Sequence, residues 1–178
     1  MPLGEGGIFQ PSAAKWNILG TNDASFNDGT GIFGLKKDLL TTDSNPYKFR
    51  VRRNAAQNTG NGAFAKINFD TEIFDTNNNF DSSTNYRYTV PVNGFYWFGG
   101  GFGVNGAVSN IVAIFVDGSE YRRGDANPTS GAVNVSDIIS LNASQYVELH
   151  AYGGSATAMD VTNAAVSPYF GGFLVCRT

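Results

Sequence analysis

From residue 48 onward, apolar residues come in short runs separated by clusters of turn formers. The runs cover 49–53, 64–69, 71–74, 86–90, 95–104, 111–116, 133–141, 146–152 and 169–176. Between them stand Asn58-Thr59-Gly60-Asn61-Gly62, 75–81, Val92-Asn93-Gly94, Asp117-Gly118-Ser119 and Asn142-Ala143-Ser144. Short apolar runs with turn signals every ~8–12 residues predict a β-sandwich or barrel. Asp117-Gly118 predicts a tight hairpin, because a type I′ turn needs positive φ at both central positions. Pro91 lacks an amide donor and is expected at a strand end.

Period-two alternation sorts the faces. In 95–104, Tyr96, Phe98, Phe102 and Val104 fall on one side. Phe95 and Trp97 fall on the other, with Gly99, Gly101 and Gly103. In 146–152, Val147, Leu149 and Ala151 oppose Tyr146, Glu148, His150 and Tyr152. The expected core is therefore Phe69, Phe80, Tyr96, Phe98, Val147 and Leu149. The second face of these strands is aromatic where a monomer would carry charge, and soluble monomers rarely expose such patches. Phe95, Trp97, Tyr146, His150 and Tyr152 are accordingly expected at contacts between copies of the chain.

The first ~46 residues read differently. Turn formers dominate, and the apolar residues Trp16, Ile18, Leu19, Phe26, Ile32, Phe33 and Leu35 are too sparse for a core of their own. A segment of this kind docks on something else or stays loose. The expected division is an irregular arm over 1–46, anchored by Trp16, Ile18 and Phe33, and a globular domain over 47–178. The stretch 35–40 fits one helical turn or a short strand equally well.

Composition narrows the function more than the fold. The chain has 178 residues, 42% hydrophobic and only 15% charged, with 22 Gly. That mix argues against a helical bundle. Net charge is −3, and the one basic cluster, Arg50-Val51-Arg52-Arg53, alternates like the exposed side of a strand. Neither nucleic acid nor a membrane is an expected partner, since no run approaches a span of ~18–20 apolar residues. Cys176, in the apolar run Phe173-Leu174-Val175-Cys176, is expected to be buried as a small hydrophobe. The N-terminal stretch shows neither a basic nor an apolar leader region.

Motifs for chemistry fail on their context. Gly101-Phe102-Gly103-Val104-Asn105-Gly106 fits a dinucleotide fingerprint, but a strand and not a helix follows it. The loop opening at Asp75 lacks the sixth-position Gly and the twelfth-position Glu of an EF-hand, where Tyr86 stands. His150 is the only histidine, too few for most zinc sites or a triad. A non-enzyme without cofactor or metal is expected.

Several stretches match one family in order and spacing. They are Ile67-Asn68-Phe69-Asp70-Thr71-Glu72, the loop 75–81, and Tyr88-Thr89-Val90-Pro91-Val92-Asn93-Gly94-Phe95-Tyr96-Trp97-Phe98. Then come Ile114-Phe115-Val116-Asp117-Gly118, the block 135–149, and Tyr169-Phe170-Gly171-Gly172-Phe173-Leu174. Over ~130 residues the chain resembles the C1q-like head of the C1q and tumour-necrosis-factor superfamily. The resemblance implies an all-β jelly-roll sandwich of about ten strands and a homotrimer. Where the family hairpin reads Leu-x-x-Gly-Asp, this chain has Leu141-Asn142-Ala143-Ser144-Gln145, so a carboxylate used by calcium-binding relatives is missing. Lys15-Trp16-Asn17-Ile18-Leu19-Gly20 and Phe26-Asn27-Asp28-Gly29-Thr30-Gly31 are similar to openings of tailed-phage structural proteins. The expected function is a virion structural protein, made in the host cytoplasm. It is read as a capsid decoration (cement) protein held by its arm to the major capsid protein or another virion protein. The alternative expectation is a tail-fibre tip or adhesin head recognising a host cell-surface glycan or protein.

Overall fold

Where large rings alternate with small or outward residues, the backbone can pleat and bury one face. The aromatic run around Tyr96 does so over eleven residues. A computed structural model describes residues 15–18, 24–27, 32–35, 45–106, 108–129, 131–163 and 167–178. The chain divides into two units, Met1–Ser44 and Asn45–Thr178.

In the first unit, β1 (Lys15–Ile18), β2 (Ala24–Asn27) and β3 (Ile32–Leu35) pair antiparallel in that order. Register sets Trp16 opposite Phe26 and Phe26 opposite Phe33. One parity step along, Ile18, Ala24 and Leu35 align. Within the segment expected to be irregular, the three expected anchors thus share one parity of a small strand meander. The undecided stretch 36–40 lies outside the described residues.

The second unit contributes eleven strands among the described residues. They are β4 (Lys48–Arg52), β5 (Phe64–Lys66), β6 (Thr71–Asp75), β7 (Phe80–Asp81), β8 (Arg87–Thr89) and β9 (Gly94–Val104). β10 (Asn110–Val116), β11 (Ser119–Asn127), β12 (Gly131–Leu141), β13 (Tyr146–Gly153) and β14 (Tyr169–Arg177) complete them. One sheet runs β12-β9-β14-β4-β6. The other runs β11-β10-β13-β8-β7, with β5 also paired to β13. Every pair is antiparallel.

The two inner faces meet in an aromatic core. Phe49 stacks on Tyr88 with centroids 4.5 Å apart and meets Phe170 edge-on at 5.2 Å. Phe98 stacks on Phe170 at 5.9 Å, and Phe69 covers the same ring at 5.9 Å. Phe69, Phe80, Tyr96, Phe98, Val147 and Leu149 are all buried, none more than 3% exposed. Pro91 lies in the connection after β8, and Asp117 (φ 50°) with Gly118 (φ 77°) turns β10 into β11.

Two local features depart from the sequence reading. Strand β11 is absent from the expected runs, because Ser-Glu-Tyr-Arg-Arg-Gly-Asp-Ala-Asn carries no apolar alternation. It is an edge strand held by its hairpin register to β10, Val116 opposite Ser119. Cys176 is exposed, which overturns the expectation of burial. A register shift between Leu174 and Cys176 re-phases the end of β14, so that Leu174 points inward while Val175 and Cys176 do not.

Ser144 occupies the hairpin position where the resembling family carries Gly, and its φ is 76°. A residue with a Cβ is strained there by about 1–2 kcal/mol. Ser144→Gly is therefore expected to raise stability by up to about 1 kcal/mol, read as a higher urea midpoint with unchanged m value.

The buried polar cluster on β13 gives a pH dependence. Glu148 is 6% exposed. Lys66 Nζ donates to its Oε1 at 3.0 Å and His150 Nε2 donates to Oε2 at 3.0 Å. Burial alone would push this carboxyl up, but the bonds from His150 and Lys66 and the lysine charge hold it below its usual 4.5. A depressed folded-state pKa contributes stability above the unfolded pKa and loses it as pH falls through the folded one. Glu148→Gln is expected to cost about 1–3 kcal/mol at pH 7, with the difference shrinking below pH ~4. Parallel urea titrations at the two pH values check this, and an equal loss at both would place the effect elsewhere.

Candidate functional site

Antiparallel register lays the outward residues of the five-stranded sheet in straight rows across β12, β9, β14 and β4. One row is Ile138, Trp97, Phe173 and Lys48. The next is Ser136, Gly99, Gly171 and Arg50, and the third is Asn134, Gly101, Tyr169 and Arg52. The inward neighbours of these residues fill the core, so the rings that remain must face out.

The first row and the strand ends beside it form an apolar stripe. Ile138 is 56% exposed and Phe173 42%, with Phe95 and Val175 likewise exposed. Trp97 is half-buried because it stacks on Phe173 with centroids 5.4 Å apart. Its six-membered ring also lies over Gly99, where an added Cβ would stand 2.5 Å from Cη2.

The third row is polar and already tied together. Tyr169 Oη donates to Asn134 Oδ1 at 3.1 Å across Gly101, where a Cβ would strike that same oxygen at 2.4 Å. The Arg50 guanidinium stands 5.2 Å over the Tyr169 ring. The Asn134 amide N–H donates to Asp125 Oδ2 at 3.2 Å. Between the Trp97 and Tyr169 rows a groove of about 550 Å³ opens, closed at one end by Arg122, Arg123 and Asp125 of β11.

Tyr146, His150 and Tyr152 sit on the outer face of the other sheet, so the structure does not bring them together with Phe95 and Trp97. Parity within a strand tells in from out, but it does not tell which sheet the strand joins. Each of the three has a partner in its own chain. Arg87 covers the Tyr146 ring at 4.1 Å. His150 stacks on Phe115 at 3.8 Å, and Tyr152 meets Phe64 at 5.7 Å. Trp16, Ile18 and Phe33 belong to the first unit.

Sequence reading missed Ile138, Phe173 and Val175 in the stripe, and Tyr169 and Asn134 beside it. Signals existed: Ile138 is the one large apolar residue on the outward parity of β12, and Phe173-Leu174-Val175 is apolar on both parities. Elsewhere, the carboxylate of Asp75 accepts the amides of Asn77 and Phe80 and so caps its own loop. Gly101 and Gly103 of the glycine motif are strand residues of β9. Among the described residues, no three His, Cys, Asp or Glu side chains gather to hold a metal ion, and no helix is long and apolar enough to cross a membrane.

No protein-family model and no curated protein matches the sequence. Solved structures do match. The chain is similar to the globular domain of zebrafish complement 1qA protein at 20% identity and TM-score 0.57, over 74% of this chain and 99% of that one. It is also similar to murine APRIL at pH 8.0, with 7% identity, TM-score 0.53, and 72% and 98% of the two chains covered. The Eiger TNF from S. frugiperda matches at 8% identity and TM-score 0.54, over 74% and 94%. Identities this low carry the fold and nothing finer. The chain thus has an all-β, C1q/TNF-like jelly-roll sandwich fold.

Proposed function

We propose that the chain is a non-enzymatic structural protein of a virion: a homotrimer, attached through its N-terminal unit to a larger assembly as a capsid decoration (cement) protein. The observation that carries the reading is the apolar stripe of Phe95, Trp97, Ile138, Phe173 and Val175. It is the outward face of a rigid sheet, and the described residues of its own unit leave it open to water. Contiguous exposed apolar surface of this kind marks a protein contact, and a second copy of the same sheet supplies matching chemistry.

The first unit supports the attachment role. Its described strands are only four residues each, at the short end of the usual range, and register sets Trp16, Phe26 and Phe33 opposite one another. Three such units on one trimer would bind together and gain avidity, and threefold symmetry suits the local threefold positions of an icosahedral shell. The partner in this reading is the major capsid protein or another virion protein.

Two outcomes follow. Trp97→Ala and Phe173→Ser are each expected to convert the trimer to monomer or aggregate in multi-angle light scattering, whereas Tyr152→Ala on the opposite sheet should leave its mass unchanged. A trimer that survives both stripe substitutions would put the contact on another face. Electron cryomicroscopy of the virion should place threefold density on the shell, and Trp16→Asp should remove it while the head stays folded. Density confined to the tail would overturn the capsid reading.

A further inference from the structure

We infer that the contact between copies has a fixed polarity: the basic side of the five-stranded sheet, on β4, lies against the Asp125 margin of a second copy. The inference rests on the reading that copies meet on this sheet face, and it adds which half of the face meets which.

Charge is distributed unevenly across the face. On β4, Lys48, Arg50 and Arg52 share the outward parity, because the buried Phe49 and Val51 alternate with them. Arg50 and Arg52 are both exposed. Arg50 lies over the Tyr169 ring, and neither arginine has a carboxylate partner among the described residues. The neighbouring strand does not neutralise them. β6 sets Phe74 opposite Arg50 and Thr71 opposite Arg52. Its Glu72 falls opposite the inward Val51 and accepts from Ser82 Oγ. This side of the face therefore presents the uncompensated positive charge of Arg50 and Arg52.

The other side has the opposite sign. Outward positions of β12 are the neutral Asn134, Ser136 and Ile138. Beyond them, Arg122 of β11 is paired with Asp137 at 2.6 Å and Arg123 with Glu120 at 2.8 Å. Arg123 also covers Phe64 on the opposite sheet. Asp125 is left exposed, with Oδ2 accepting the Asn134 amide and no cation paired to it among the described residues. It lines the groove beside Tyr169 and Trp97, which is open enough to admit a partner's arginine side chain.

Register places the two signs at one height along the strands. Asn134, Gly101, Tyr169 and Arg52 form a single row, and Asp125 is bonded to the Asn134 end of it. A second copy turned about an axis running along the strands keeps that height. It sets the β4 side of one copy against the β12 side of the other, while the rows of Ile138, Trp97 and Phe173 meet at their own height. Placing β4 against β4 would instead bring Arg50 and Arg52 of two copies together, and juxtaposed like charges suppress that register. In a threefold ring each copy gives β4 to one neighbour and its Asp125 margin to the other, so one polarity serves all three contacts.

The test is sedimentation velocity on the full-length protein as a concentration series, with circular dichroism on the same samples. The double variant Arg50→Glu, Arg52→Glu is expected to weaken self-association by about tenfold or more, and so is Asp125→Arg, since each sets like charges against each other. Combining all three substitutions reverses both signs and should restore the wild-type mass. Unchanged association in either charge variant, or a combined variant that stays dissociated, overturns the polarity. Trp97→Ala, run alongside, separates the two readings. If it dissociates the assembly while the charge variants do not, the polarity falls and the self-contact on this sheet stands. A monomeric wild type, or an assembly that survives all four variants, removes both.

Discussion

Phe49 on β4 and Tyr88 on β8 lie face to face at 4.5 Å, one ring from each sheet. Aromatic pairs gain attraction beyond the area they bury, and only within a narrow range of separation and tilt. Phe98 and Phe170 close around the same pair from β9 and β14. Because those rings must point inward, the side chains one residue away on the same strands must point outward. Trp97, Tyr169, Gly171 and Arg50 have no other choice of side. The outer surface of the five-stranded sheet follows from the packing of its inner one.

On that surface, register then divides apolar from polar. The rows run across strands that are far apart in the chain, so Ile138, Trp97 and Phe173 become neighbours although about forty residues separate each from the next. Val175, on the same parity as Phe173, extends the stripe, and the register shift near the end of β14 turns Cys176 outward as well. Four residues further along the strands, the same geometry gathers Asn134 and Tyr169 over a glycine. Stripe and groove are adjacent because the sheet repeats every second residue.

The opposite sheet handles its aromatic surplus differently. His150 stacks on Phe115, Phe64 meets Phe115 edge-on and Tyr152 at a tilt, and arginines cover Phe64 and Tyr146. The Lys66–Glu148–His150 cluster fixes β5 against β13 with a buried carboxylate whose charge is matched. That face satisfies itself within one chain. The stripe, by contrast, has Trp97 on Phe173 and is otherwise left exposed by the described residues of its own unit, and this asymmetry is why the assembly reading favours the five-stranded sheet.

Alternation in 95–104 and 146–152 was enough to name the buried side of each strand. Asp117-Gly118 was enough to place a hairpin, because these signals are local and rest on the pleat and on φ. The polar edge strand β11 escaped notice because its strand state comes from pairing with β10, not from its own residues. Cys176 was misplaced because a bulge changes parity without any mark in composition. The face shared by Phe95 and Trp97 was legible, but its separation from Tyr146, His150 and Tyr152 was not. The sequence by itself determined which side of each strand is buried, since a two-residue period is a property of the backbone. Only the tertiary structure decided which strands lie side by side, and hence which outward residues form a surface, since that depends on pairing between segments that no local pattern encodes.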